Sequence, residues 1–309
     1  MEWFVGVDVG GTFTDFFATE SRSGTIKYFK RPSTPENPGQ AIVDGLKEMC
    51  DELSINPTDI ERLCHGTTVA TNSLIQRRGG KVALITTEGF RDLLEIGRQT
   101  RPHMYSLQED QPEPLVPRAR RFEVSERVNS NGEIIKHLDE AKLEIVFDAI
   151  ERCKADSIAV CCLFSFLNKK TEFRIGELLK KRFPDLALSL SSRVRPEFRE
   201  YERCSTTVLN AYLQPVMGNY LTHLEKELSD YIPDSPIRIY QSSGGLMSIE
   251  TSKEFPIRTA LSGPAAGVVG AVYSAKASSH PNVATLDMGG TSADVALIRN
   301  YDAGVRSDR

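Results

Sequence analysis

The octet Asp-Val-Gly-Gly-Thr-Phe-Thr-Asp at residues 8–15 returns near the other end of the chain as Asp-Met-Gly-Gly-Thr-Ser-Ala-Asp at residues 287–294. Both copies read D-x-G-G-T-x-x-D. Both follow an apolar segment with strand character and precede a second such segment. Two strands joined by paired glycines are typical of a β-hairpin. The repeat therefore predicts two similar hairpins, each with a glycine turn at its tip.

The composition of each turn favours anion binding. Paired glycines let successive backbone N–H groups approach a phosphate without an intervening Cβ, and a threonine adds a hydroxyl donor. Aspartates at strand ends can hold Mg²⁺, usually through its water ligands. The alternative is two unrelated tight turns, but a matched pair favours binding. The candidate phosphate-binding residues are Gly10, Gly11, Thr12, Thr14, Asp15, Gly289, Gly290 and Thr291; the candidate catalytic and magnesium-binding residues are Asp8 and Asp287.

The remaining periodicity predicts an α/β protein, in which strands alternate with helices. The predicted strands cover residues 4–9, 13–19, 25–30, 62–65, 81–86, 158–163, 237–241, 283–288 and 294–298. The predicted helices cover residues 42–53, 66–79, 88–96, 143–150, 173–183, 196–229 with a kink at Pro215, and 264–277 capped by Ser262. Four prolines predict an irregular loop over residues 101–117. Neither turn matches the P-loop or the Rossmann glycine pattern, which disfavours those folds.

Bulk composition excludes several classes of function. The 309 residues carry a formal net charge of −4, with 40% hydrophobic and 26% charged residues. This charge gives no overall electrostatic footprint for nucleic acid, although it leaves room for a local basic patch. The longest apolar stretch, residues 158–167, is too short to cross a bilayer, and the N-terminus lacks the pattern of a secretory signal. The six cysteines form no C-x-x-C pair, which argues against a zinc site. We expect a cytoplasmic protein that binds neither nucleic acid nor membrane.

The two octets resemble the paired phosphate hairpins of the actin/hexokinase/heat-shock ATPase superfamily. This resemblance implies an actin/hexokinase-like (ribonuclease H-like) ATPase fold that binds ATP and Mg²⁺. Residues 10–12 would contact one phosphate, with Asp8 organising the water of Mg²⁺. Residues 289–291 would contact the γ-phosphate, with Asp287 near the attacking group or the metal. The adenosine-binding glycine motif of the superfamily would lie beyond Arg309, so the second domain is expected to be truncated.

Further motifs resemble the N-terminal half of the hydantoinase A/5-oxoprolinase family, whose relatives include the ATP-using subunits of acetone and acetophenone carboxylases. The matching stretches are VGVDVGGTFTD at 5–15, HGTTVATN at 65–72, TTEGFRD at 86–92, EIGRQ at 95–99, SSGGLM at 242–247 and SGPAAG at 262–267. The resemblance covers nearly the whole chain. It implies a hydantoinase/oxoprolinase N-terminal region over residues 1–184 and the start of the catalytic region over residues 185–309.

Three further groups of residues are candidates for the site. His65, Thr67 and Thr68 stand between a strand and a helix, where an anion or a carbonyl oxygen can bind; a plain helix cap is the alternative. Arg98 and Arg101 adjoin the proline-rich loop and are candidate substrate contacts, against the alternative of a solvated surface. Loops containing Ser243, Gly244, Gly245 and Gly263 are candidate cleft linings, with ordinary turns as the alternative.

The resemblance implies ATP-dependent ring opening of a cyclic amide, such as a hydantoin or 5-oxoproline, through phosphorylation of the carbonyl oxygen. A hydantoinase B-type or other partner subunit would complete the enzyme. Two alternatives stay open: the ATP-using subunit of an acetone- or acetophenone-type carboxylase, and a non-catalytic assembly subunit. The sequence does not choose between a cyclic amide and a ketone as substrate.

Overall fold

The computed structural model describes residues 2–10, 12–34, 37–100, 105, 111–288 and 293–304. Its strands are β1 (Trp3–Val9), β2 (Phe13–Glu20), β3 (Ile26–Pro32), β4 (Ile60–Thr67), β5 (Val82–Thr87), β6 (Arg121–Val124), β7 (Arg127–Val128), β8 (Ile134–Lys136), β9 (Ser157–Cys161), β10 (Ala187–Leu190), β11 (Ile237–Tyr240), β12 (Leu246–Ser248), β13 (Val283–Met288) and β14 (Ala293–Ile298). Its α-helices are α1 (Pro38–Leu53), α2 (Val69–Ile75), α3 (Leu93–Ile96), α4 (Glu140–Cys153), α5 (Lys170–Arg182), α6 (Ser191–Val194), α7 (Glu200–Tyr231), α8 (Ile249–Glu254) and α9 (Ser262–Ala277). The predicted α/β class is confirmed.

The described chain divides into two compact units, and one of them is formed by two separate segments of the sequence. Unit 1 combines residues 1–77 with residues 217–309, and unit 2 is the continuous segment 78–216. The division falls inside α7, next to Pro215. The predicted boundary after residue 184 divides the chain by sequence motif, whereas these units are defined by packing in space.

Unit 1 is built on a six-stranded mixed sheet with the order β12-β11-β4-β1-β2-β3. Strand β2 is antiparallel to both of its neighbours, while β1, β4 and β11 run in the same direction. The amphipathic helix α1 covers one face and buries Ile42, Leu46 and Met49. Gly45 of the same helix lies against the ring of Phe16, where a Cβ would come within 2.4 Å of a ring carbon. The sheet and α1 therefore share one close-packed core.

Unit 2 is built on a parallel sheet with the order β10-β9-β5-β6. Its strands β5 and β9 are buried throughout and mostly apolar, as expected for a parallel sheet covered on both faces. Helices α4 and α5 supply Leu143, Phe147 and Ile175 to its core. Strands β7 and β8 form a separate small ribbon.

Several predicted boundaries are wrong because tertiary pairing outweighs local sequence signals. Residues 66 and 67 do not open a helix but extend β4, since the parallel pairing with β1 continues to Val9 opposite Thr67. Helix α2 begins only at Val69 and ends at Ile75. The helix predicted for residues 88–96 is reduced to α3, because a turn with Gly89 at φ 88° comes first. Ser262 is the first residue of α9, and its hydroxyl does not cap the helix.

The other predictions of long elements are confirmed, including the strand positions in residues 4–30 and the long helix that contains Pro215. Strands β6, β7, β8, β10 and β12 were not predicted, because segments of two to four residues carry too little periodicity to identify. Most of the predicted proline-rich loop lies outside the described residues. Within the described chain, no helix is both long enough and apolar enough to cross a membrane.

Candidate functional site

The candidate site lies in unit 1, at the edge where β1, β4 and β11 end. Because these three strands are parallel, their carboxyl ends meet at one edge of the sheet. Clefts that bind ligands in open α/β sheets form at such an edge. Asp8 is the next-to-last residue of β1 and pairs with Gly66 of β4.

The first octet forms the predicted hairpin, with Asp8 opposite Asp15 and Val9 opposite Thr14. The N–H group of Gly10 donates to the carbonyl oxygen of Phe13 at 3.0 Å, and a Cβ at Gly10 would lie 3.0 Å from the same oxygen. This contact explains the glycine at position 10. Thr12 is exposed at the tip of the hairpin, and Gly11 lies outside the described residues.

The hydroxyl groups of Ser33 and Thr14 stabilise this hairpin through hydrogen bonds. The Ser33 hydroxyl donates to the Gly10 carbonyl oxygen at 2.8 Å and lies 2.9 Å from Thr14 Oγ1. Thr14 is fully buried, so its hydroxyl supports the turn instead of facing a ligand. Asp15 is exposed and forms an ion pair of 2.9 Å with Lys30. The phosphate-binding predictions for Thr14 and Asp15 therefore correspond to a supporting residue and a salt-bridged residue.

The second octet has the same pairing register as the first. Asp287 lies opposite Asp294 and Met288 opposite Ala293, in the ribbon formed by β13 and β14. The prediction of two similar hairpins is thus confirmed for the strands. The turn itself, with Gly289, Gly290 and Thr291, lies outside the described residues.

Asp287 of the second hairpin lies within electrostatic range of Asp8. Although the Asp8 side chain still reaches solvent, the crowding of protein atoms around it raises its pKa, and the nearby carboxylates of Asp15 and Asp287 raise it further. Glycines leave room for this carboxylate. A Cβ at Gly66 would lie 3.2 Å from Asp8 Oδ1, and a Cβ at Gly263 would lie 3.7 Å from it.

These acidic side chains fit a hydrated cation better than a directly bound one. Among the described residues, no three His, Cys, Asp or Glu side chains are grouped closely enough to hold a metal ion. Asp8 and Asp287 are nevertheless close enough to interact unfavourably as anions. A cation between them would relieve this repulsion, and Mg²⁺ usually keeps several of its water ligands. The donor set is therefore compatible with Mg²⁺ held through water.

The side chains of three candidate residues, His65, Thr67 and Thr68, all form hydrogen bonds within the protein. His65 is fully buried, and its Nε2 lies 2.7 Å from the hydroxyl of Tyr220 on α7. Burial lowers the pKa of His65 to about 4, so the imidazole is neutral at physiological pH. Thr67 is buried, and its backbone contacts the Ser262 hydroxyl. Thr68 Oγ1 donates to the Val9 carbonyl oxygen at 3.1 Å.

The predicted substrate role of these three residues stays a prediction: His65 and Thr67 are buried, whereas Thr68 is partly exposed. The His65 ring presents no surface to a solute. The Ser262 and Tyr220 contacts carry no local sequence signal, because they join residues that are far apart in the chain.

Ser243, Gly244 and Gly245 form the turn between β11 and β12, at the same edge of the sheet as Asp8. Gly244 and Gly245 have φ values of 84° and 83°, a region that glycine enters without strain. The turn geometry is thus enough to explain both glycines. Their predicted role in cofactor binding stays a prediction.

Arg98 belongs to unit 2 and pairs with Glu202 of α7, with Nε 2.7 Å from the carboxylate. Arg101 lies outside the described residues. Their assignment as substrate contacts also stays a prediction.

Comparison with known proteins identifies the family. The family model described as hydantoinase/oxoprolinase N-terminal region matches residues 4–183, and the model described as hydantoinase/oxoprolinase matches residues 203–308. The chain belongs to the hydantoinase/oxoprolinase family. The resemblance inferred from the sequence motifs is thereby confirmed.

Individual members of the family are similar over nearly the whole chain. Caprolactamase subunit alpha from Pseudomonas jessenii is 36% identical over 302 residues, which cover 96% of this chain and 43% of that protein. The 5-oxoprolinase of Dictyostelium discoideum is 32% identical over 94% of this chain and 26% of its own length. The chain thus spans less than half the length of these family members.

Two solved structures from the family share the fold. The crystal structure of ATP-dependent caprolactamase from Pseudomonas jessenii matches with a TM-score of 0.84 and 36% identity, over 95% of this chain and 43% of that one. A nucleotide-free structure of acetone carboxylase matches with a TM-score of 0.83 and 26% identity, over 97% and 44%. The arrangement of strands and helices described above is therefore common to a lactam-opening enzyme and a carboxylase.

Proposed function

We propose that this chain forms the phosphate-binding part of an ATP-dependent enzyme that opens a cyclic amide. The supporting observation is the pair of hairpins with identical D-x-G-G-T-x-x-D sequence and identical register, whose leading carboxylates, Asp8 and Asp287, approach each other. Each hairpin would place glycine N–H groups and a threonine hydroxyl against the polyphosphate. The turn residues 10–12 and 289–291 are the proposed contacts.

The sheet of unit 1 supports assignment to the actin/hexokinase-like, or ribonuclease H-like, fold. The order β3-β2-β1-β4-β11, with β2 antiparallel to its neighbours, is the arrangement expected for that fold. The first phosphate hairpin of such a fold is β1–β2, as it is here. The second hairpin, β13–β14, would belong to the corresponding second domain.

The reaction we propose begins with phosphoryl transfer to the amide carbonyl oxygen. A new O–P bond forms at that oxygen while the bond from the γ-phosphorus to the β-phosphate oxygen breaks, and ADP leaves. One water then adds to the activated carbon and the C–N bond of the ring breaks, which leaves a free amine and an acyl phosphate. A second water hydrolyses the acyl phosphate to the carboxylate and inorganic phosphate. Because little covalent chemistry is asked of the protein in phosphoryl transfer, its role is positioning and charge stabilisation.

In this scheme, the leading aspartates of the two hairpins and the residues around them each have a specific role. Asp8 and Asp287 would hold the water ligands of Mg²⁺, which neutralises phosphate charge when bound. Gly66 and Gly263 keep the space around Asp8 open for the phosphate end of the nucleotide. Arg98 and Arg101 stay the proposed substrate contacts.

The ATP-using subunit of a carboxylase is a second candidate. The match to acetone carboxylase, with a TM-score of 0.83, favours it. The phosphoryl acceptor would then be an enolate or bicarbonate instead of an amide. In either case we expect a partner subunit, because the similar caprolactamase and acetophenone carboxylase chains are each named as one subunit of their enzyme.

Titration of ATP–Mg²⁺ into the purified chain by calorimetry tests the proposal. We expect binding that falls at least about tenfold in Asp8→Asn and in Asp287→Asn, since each substitution removes a charge that holds the cation. Asp234→Asn, at an exposed acid of unit 1, is the matched control and should bind like the wild type. Absence of binding by the folded wild-type chain, or equal binding by all variants, would contradict the proposal.

Turnover distinguishes the two candidate reactions. The chain, assembled with its partner subunit, is assayed for ADP release with ε-caprolactam, 5-oxoproline or hydantoin, and separately with acetone plus bicarbonate. Stimulation by a cyclic amide supports the first reaction, and stimulation by the ketone with bicarbonate supports the second. Nucleotide binding without stimulation by any of these compounds would favour an assembly role.

A further inference from the structure

Tyr220, His65 and Thr67 form a buried hydrogen-bond network beside β1, the strand that carries Asp8. The Tyr220 hydroxyl on α7 lies 2.7 Å from His65 Nε2 on β4. The Thr67 hydroxyl interacts with the same Tyr220 hydroxyl and accepts the N–H group of Val69, the first residue of α2, at 3.2 Å. The phenol of α7 thus interacts with two side chains of β4, and Thr67 links it to the first residue of α2.

The protonation states decide which group donates and which accepts in each hydrogen bond of this network. His65 is neutral, and its Nδ1 makes no hydrogen bond of ordinary geometry, although the nearby Val7 carbonyl favours a proton on that nitrogen. With the proton on Nδ1, Nε2 is the hydrogen-bond acceptor. Burial raises the pKa of Tyr220, so its phenol stays protonated and donates to His65, while Thr67 donates to Tyr220. Each hydroxyl in the network donates once and accepts once.

This hydrogen-bond network holds in place the two glycines beside Asp8, Gly66 and Gly263. Gly66 stands between His65 and Thr67, and a Cβ at this position would lie 3.2 Å from Asp8 Oδ1. The N–H group and the carbonyl oxygen of Thr67 both lie within hydrogen-bonding reach of the Ser262 hydroxyl, at 3.4 and 3.2 Å. Ser262 in turn precedes Gly263, the second glycine beside Asp8.

We propose that Tyr220 and His65 are positioning residues, which fix Gly66 and Gly263 around Asp8 so that the phosphate end of the nucleotide can enter. This inference rests on the nucleotide function proposed above. Neither side chain contacts the nucleotide in this arrangement. The pair acts through β4 and through the link from Thr67 to Ser262.

A role in core packing alone would give a different result. Loss of the Tyr220 hydroxyl would then lower thermal stability without changing nucleotide affinity at a temperature where the protein is folded. The positioning role predicts an affinity loss under the same conditions. Affinity at fixed, low temperature is therefore the decisive measurement, with circular dichroism and the melting temperature recorded for each variant.

The test compares Tyr220→Phe, His65→Leu and His65→Gln in calorimetric titration of ATP–Mg²⁺ into the chain. We expect Tyr220→Phe and His65→Leu to bind about fivefold to tenfold more weakly, the effect of one net buried hydrogen bond. The double variant should bind no more weakly than either single variant, because both lose the same interaction. His65→Gln should recover most of the affinity, because its amide oxygen can accept from Tyr220. Tyr231→Phe is the control, because Tyr231 lies on the same helix as Tyr220 but its hydroxyl faces Cys50 of α1.

The outcomes separate this inference from the function on which it rests. If the wild type binds, Asp8→Asn does not, and Tyr220→Phe binds like the wild type, the inference alone is overturned. If the folded wild type does not bind, both the proposed function and the inference fail. Should Tyr220→Phe not fold, the contrast between His65→Leu and His65→Gln decides the question.

Discussion

Asp8 occupies a position that is unfavourable for a carboxylate in the folded protein. Crowding by neighbouring atoms and the charges of Asp15 and Asp287 raise its pKa. A raised carboxyl pKa means that ionisation is easier in the unfolded chain, so the folded state loses relative stability as pH rises through the unfolded value of 3.8. At neutral pH this cost is fully present. The residue thus fits a functional site better than a stabilising one.

Asp8→Asn should therefore raise the melting temperature at pH 7 while it weakens ATP–Mg²⁺ binding. The amide has nearly the same shape as the carboxylate but carries no charge to desolvate or repel. Differential scanning calorimetry at pH 7 gives the measurement, with Asp234→Asn as control. A lower melting temperature for Asp8→Asn would show that the carboxylate stabilises the fold.

His65 should make stability depend on pH in the opposite direction. Its pKa is about 4 when folded and 6.5 in the ordinary state, so the folded protein binds fewer protons between these values. Its contribution is fully present above pH 6.5 and is lost as pH falls towards 4. By linkage, we expect a loss of roughly 2 kcal/mol in unfolding free energy between pH 7 and pH 5.

Urea unfolding at both pH values, in wild type and in His65→Gln, measures this contribution. Other acidic groups titrate alike in the two proteins, so the difference between their pH dependences reports on His65. Equal dependences would mean that the imidazole does not change protonation on unfolding.

Two glycines in helices of unit 1 have opposite structural roles. At Gly45 of α1, a Cβ would come within 2.4 Å of the Phe16 ring, whereas at Gly218 of α7 it would meet no atom within 4 Å. Alanine is the better helix former by about 1 kcal/mol, but overpacking a core costs about 1–3 kcal/mol. We expect Gly45→Ala to lower the unfolding free energy and Gly218→Ala to raise it by up to about 1 kcal/mol. Chemical denaturation checks both; a stabilising Gly45→Ala would show that Phe16 moves freely.

Regular elements with long apolar patterns were predictable from sequence, and so were the two hairpins. The repeat located Asp8 and Asp287 because a turn motif is local. Sequence could not show that Gly66 and Gly263 flank Asp8, since that contact depends on β4 pairing with β1 and on the link between Thr67 and Ser262. The sequence also could not show that the His65 side chain points into the protein, because strand pairing decides which face of the sheet a side chain occupies.

An apolar surface covers one face of the β13–β14 ribbon. Along this face, exposed residues pair across the strands: Ala284 with Leu297, Leu286 with Val295, and Met288 with Ala293. Leu286 is 68% exposed and Val295 69%. Contiguous apolar surface of this kind marks an interaction site or an aggregation-prone region. Both outer edges of the ribbon also lack a neighbouring strand within the described residues.

The purified chain should consequently self-associate, and Leu286→Lys combined with Val295→Lys should reduce this association. Ile145→Lys is a matched control, because Ile145 is 67% exposed on α4 of unit 2. Analytical ultracentrifugation across a concentration series measures the effect. Equal association in all three proteins would show that another surface is responsible.

The insertion of unit 2 between residues 77 and 217 has a consequence during synthesis. Strands β1 to β4 leave the ribosome early, but β11, which completes their parallel pairing, follows only at residue 237. At about 5–20 residues per second, the intervening stretch takes on the order of 10–30 seconds to translate. Throughout that interval the open edge of β4 has no partner, while the uninterrupted unit 2 can already condense. The nascent polypeptide is therefore exposed to chaperone capture at β4, and translation speed across residues 78–236 becomes a determinant of its yield.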